Sequence, residues 1–91
     1  IVCTLTHDEL RDTRYAWQKL FRTALISRDE VPGGIRLVVN EGSAVALRQL
    51  VEVERDCCQW INFDLDGSTV SMTTDGAGVA AIRRMWVVDA L

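Results

Sequence analysis

The sequence predicts an α+β domain with α/β-like alternation: two layers in the order β-α-β-α-β-β-α, with a mixed four-stranded sheet and the helices packed on one face. Three observations point there. Apolar residues recur at helical spacing in three segments, β-branched or alternating segments lie between them, and Pro-Gly or Asp-Gly pairs mark several of the joins. With 91 residues, 48% of them hydrophobic, the chain can bury one core and no second, so residues 1–91 read as a single domain.

Residues 1–5 (IVCTL) read as a short strand. Thr6-His7-Asp8-Glu9 has the form of a capping box, in which the hydroxyl and the carboxylate each satisfy an open backbone N–H at a helix start. A long helix should follow, with Leu10, Trp17, Leu20, Phe21, Ala24 and Leu25 on one stripe, and it should end before Val31-Pro32-Gly33-Gly34. The β-branched run 35–39 is a strand closed by Asn40-Glu41-Gly42. Ser43 is placed to cap a second helix over 44–59, whose apolar face carries Leu47, Leu50, Val51 and Cys58. In 60–66, Ile61, Phe63 and Leu65 alternate with Asn62, Asp64 and Asp66, and Asp66-Gly67 suits a hairpin turn into a strand with Val70 and Met72. Thr74 or Asp75 can cap a last helix with the stripe Val79, Ile82, Trp86 and Ala90. The half-polar hairpin leaves one sheet face to water or a partner.

Ten Lys and Arg against 13 Asp and Glu give a net charge of −3 with no long block of either sign, which argues against nucleic acid as a partner. Apolar runs are far too short to span a membrane. The first residues lack a charged segment followed by an apolar one, so no secretory signal is expected. Three cysteines, an odd number, fit thiols in a reducing cytoplasm better than a disulfide framework.

Two charges fall where the core should be. Glu54 lies at the middle of the second helix's apolar stripe, and Arg14 lies among Leu10, Trp17 and Phe21 on the first. A buried charge needs a partner, so the two are expected to pair, with Arg83 as the alternative cation. Such a pair could serve only to lock helix register, or it could place Glu54 in a site one turn before Cys58.

Cys57 and Cys58 close the second helix, beside Glu54 and Asp56 and over the negative end of the helix dipole. These influences all oppose thiolate formation, and His7 is the single histidine available as a base, so cysteine catalysis is disfavoured. A soft cation reverses the balance, because the same negative field attracts it and it deprotonates the thiol it binds. In a parallel βαβ unit, Cys3 would approach Cys57 and Cys58 at one sheet edge, giving up to three sulfurs with Glu54 or His7 as an optional fourth ligand. Three sulfurs suit Hg(II), As(III), Cd(II) or Cu(I); structural zinc usually takes spaced Cys or Cys/His pairs that this chain lacks. The bland alternative is that the thiols are small core hydrophobes.

Cys3-Thr-Leu, Arg14-x-x-Trp17 and Glu54-x-x-Cys57-Cys58-x-Trp60, followed by an alternating hairpin, resemble a group of small bacterial proteins of unassigned function over nearly the whole chain. Those proteins share an N-terminal Cys-x-Leu and an E-x-x-C-C-x-aromatic motif, and are associated with mercury and arsenic resistance regulators of the MerR type. The resemblance implies a thiol-based role in handling heavy metals or metalloids, with Cys3, Glu54, Cys57, Cys58 and Trp60 as motif residues. Trp60 stands where a Phe is usual.

Three functional readings follow. The first is a binding module in which Cys3, Cys57 and Cys58 hold a thiophilic ion, Glu54 orienting the site and Arg14 or His7 lying behind it. The second is an interaction or homodimerisation domain, in which Trp86-Val87-Val88 gives the last helix an apolar surface and the cysteines are core. The third is an enzyme using Asp64 and Asp66 beside the hydroxyls of 68–74; no nucleophile, base and orienting group assemble there, so no catalytic residue is assigned.

Overall fold

In the computed structural model, residues 7–86 are described, with side chains from residue 12 onward. The elements are α1 (His7–Ala24), β1 (Leu25–Val31), β2 (Gly34–Val39), α2 (Ala44–Cys57) after a short 3₁₀ turn at Glu41–Ser43, β3 (Asn62–Asp66), β4 (Thr69–Thr73) and α3 (Gly78–Met85). This is the expected α+β architecture, with four strands in one sheet. From the first helix on, the expected succession of helix, strand, helix, strand, strand, helix holds, with one strand added. The strand expected at 1–5 lies outside the described residues.

The added strand is β1. Its residues LISRDEV are half-buried or exposed and show no clean alternation, so periodicity does not reveal them. The strand instead takes the sheet edge, where Arg28, Asp29 and Glu30 suit an element with one unpaired side. The sheet order is β1-β2-β4-β3, and each ladder is antiparallel among the described residues. The expectation of a mixed sheet is corrected accordingly. Val31-Pro32-Gly33-Gly34 is a hairpin turn joining β1 to β2 rather than the end of a helix, and β3 and β4 form the second hairpin around Gly67-Ser68.

Strand alternation separates the faces. Ile35, Leu37, Val39, Phe63, Val70 and Met72 are buried in a core shared with Trp17, Leu20, Phe21 and Ala24 of α1, Leu47 and Val51 of α2, and Ile82 and Trp86 at α3. Burying a side chain of this size contributes about 1.5–3 kcal/mol, so this layer supplies most of the stabilisation. The opposite face carries exposed Arg36, Asn62 and Asp64. Asp64 and Asp66 pair across the ladder with Ser71 and Thr69 and belong to that solvent-facing surface.

Arginines tie α3 to the sheet. Arg28 donates from Nε to the Trp86 carbonyl and from Nη2 to the Arg83 carbonyl, both at 2.8 Å, satisfying acceptors that a helix leaves open at its C-terminal end. Arg83 donates to the carbonyls of Val31 at 3.0 Å and Gly34 at 3.3 Å. Thr74 does not cap α3; Ala77 holds the cap position, and the Thr74 hydroxyl donates to the Trp60 carbonyl at 2.9 Å. That bond fastens the start of α3 to the segment following α2.

Gly34 is required by the close passage of β2 and β4, since a Cβ there would overlap the Met72 carbonyl. Gly34→Ala is therefore expected to lower stability by about 1–3 kcal/mol, the usual range for overpacking a tight interior, read as a lower urea midpoint with an unchanged slope.

Candidate metal centre

The site forms at the C-terminal end of α2. Glu54 follows Leu47 and Val51 along the buried stripe and is only 6% exposed. One turn on, the helix ends at Cys57, and Cys58 caps it by donating its N–H to the Glu54 carbonyl at 2.7 Å. The Cys58 carbonyl then accepts from the Ile61 N–H at 3.1 Å, turning the chain into β3. Both cysteines are buried, Cys57 at 3% and Cys58 at 0% exposure.

Three donor atoms converge there. The two sulfurs are 3.3 Å apart, too far for the roughly 2.05 Å of a disulfide bond, and Glu54 Oε2 accepts from Cys58 Sγ at 3.6 Å and from Cys57 Sγ at 4.0 Å. One ligand atom from each of Glu54, Cys57 and Cys58 lies within 4.8 Å of the others. The group could hold a metal ion, with carboxylate and thiolate donors on the negative end of the helix.

The other carboxylate oxygen points to α1. Trp17, 4% exposed, donates its Nε1–H to Glu54 Oε1 at 3.2 Å. The Trp17 ring meets Trp86 edge-on at 5.9 Å between centroids, and Trp86 meets Phe63 edge-on at 6.4 Å. Aromatic pairs in this geometry contribute about 0.5–1.5 kcal/mol beyond area burial, so the donor that orients Glu54 is itself fixed by the core.

The expected buried ion pair is corrected. Glu54 is buried on α2 as anticipated, but Arg14 is exposed and lies on the rim of a half-open cavity of about 60 Å³ that reaches Glu54, Trp17 and Trp86. Arg83 bonds backbone carbonyls and stands 3.9 Å from Glu30. A long arginine on α1 reaches water at little cost, whereas the indole N–H beside the carboxylate must find an acceptor. That requirement was the available signal for Trp17, which the sequence placed only in the apolar stripe.

Cys3 lies outside the described residues, as does the side chain of His7. The structure therefore brings together Glu54, Cys57 and Cys58. The fourth described motif residue, Trp60, is half-buried, with its ring against Gly78 at the start of α3.

Burial holds the Glu54 carboxyl above its ordinary value of 4.5, and the hydrogen bonds from Trp17 and Cys58 pull it partly back. In the window upward from 4.5 the folded chain keeps a proton that the unfolded chain has released, so folding stability falls as pH rises through it. Below that window the carboxyl is protonated in both states and the loss disappears.

No protein-family model matches this chain, and no curated protein or solved structure does so either. The fold and site together define an α+β protein with a buried carboxylate–dithiol group that could hold a metal.

Two outcomes are expected. Glu54→Gln should flatten the decline in urea midpoint above pH 4.5, where the wild type loses stability with rising pH. Trp17→Phe leaves a buried carboxylate oxygen without its donor and should cost about 1–3 kcal/mol, measured by denaturant titration at neutral pH.

Proposed function

We propose that this chain is a small thiol-based binding protein for a heavy-metal or metalloid ion, acting in a reducing compartment such as the cytoplasm. Cys57 and Cys58 supply the sulfurs, Glu54 is the third donor or orients the site, and Cys3 is a further thiol available to it. The observation that carries this reading is the convergence of three buried ligand atoms within 4.8 Å at a helix C-terminus. A core needing only small hydrophobes would not place a carboxyl against two thiols, since a polar group buried there costs free energy unless its hydrogen-bonding needs are met. A bound cation would take the place of the protons that the carboxyl and the two thiols otherwise hold.

The resemblance carried by Cys3, Glu54, Cys57, Cys58 and Trp60 supports the same reading and suggests a place among proteins that accompany resistance to mercury or arsenic. The dimer surface expected on the last helix draws no support from Trp86, which is 2% exposed and packed in the core; Val87 and Val88 lie outside the described residues. Among the described residues no helix is long and apolar enough to cross a membrane.

Native mass spectrometry of the fully reduced chain, titrated in turn with Hg(II), As(III), Cd(II) and Cu(I), tests the reading. One ion retained per chain is expected, and it should be lost in Cys57→Ser/Cys58→Ser with the fold checked by circular dichroism. Equal uptake by the variant would place the ion elsewhere. The same spectra report whether the ion is held by one chain or between two.

A further inference from the structure

We draw no further inference here: the strongest candidate, the groove between α1 and α2 lined by Leu20, Leu50 and Val53, is an unpartnered helix face, and nothing in the structure shows what covers it.

Discussion

The hydrogen bond between Trp17 Nε1 and Glu54 Oε1 is the contact on which the rest of the site depends. A carboxyl on the apolar stripe of a helix is costly to bury, and this chain accommodates it by dividing its two oxygens. One accepts from the indole of α1; the other faces two thiols at the end of its own helix. The result joins α1 to α2 through a polar contact inside the core and aims a ligand oxygen at Cys57 and Cys58. Without the indole the carboxyl would have less reason to stay in place, and the three-donor group would lose one of its members.

Support for that contact runs outward through ordinary packing. Trp17 is held by Trp86, Trp86 by Phe63, and the backbone of Trp86 by the Arg28 guanidinium at the sheet edge. An exposed-looking edge strand thus helps fix a buried site. The second hairpin places Phe63 beneath the aromatic pair, while Thr74 ties the start of α3 to Trp60, two residues beyond Cys58. Packed interiors transmit displacements rather than absorbing them, so changes well away from the sulfurs should be felt at Glu54.

Much of this was legible in the residues themselves. The stripes of α1 and α2 follow from 3.6-residue spacing, and the alternation of Ile61, Phe63 and Leu65 with Asn62 and Asp64 marks the segment whose outward half remains exposed. Glu54 stood out because it broke such a stripe, and it lies in the buried group with Cys57 and Cys58 that could hold a metal. What was hidden had particular causes. β1 carries its charges on a half-buried edge, where alternation fades. The partner of Glu54 was expected to be a cation because charge pairing is the familiar remedy for a buried carboxylate; an indole N–H serves as well where the carboxyl can hold its proton. The antiparallel sheet followed from the unrecognised hairpin, since a turn at Pro32-Gly33 reverses the chain that a crossover would have carried onward.

Whether the three residues act as one centre is most directly read by X-ray absorption at the edge of an ion loaded into the reduced protein. A first coordination shell containing at least two sulfurs, both lost in Cys57→Ser/Cys58→Ser, is the expected result. A shell of oxygen and nitrogen alone, or one unchanged in the variant, would contradict the assignment of Cys57, Cys58 and Glu54 as a binding centre and return the thiols to the hydrophobic core.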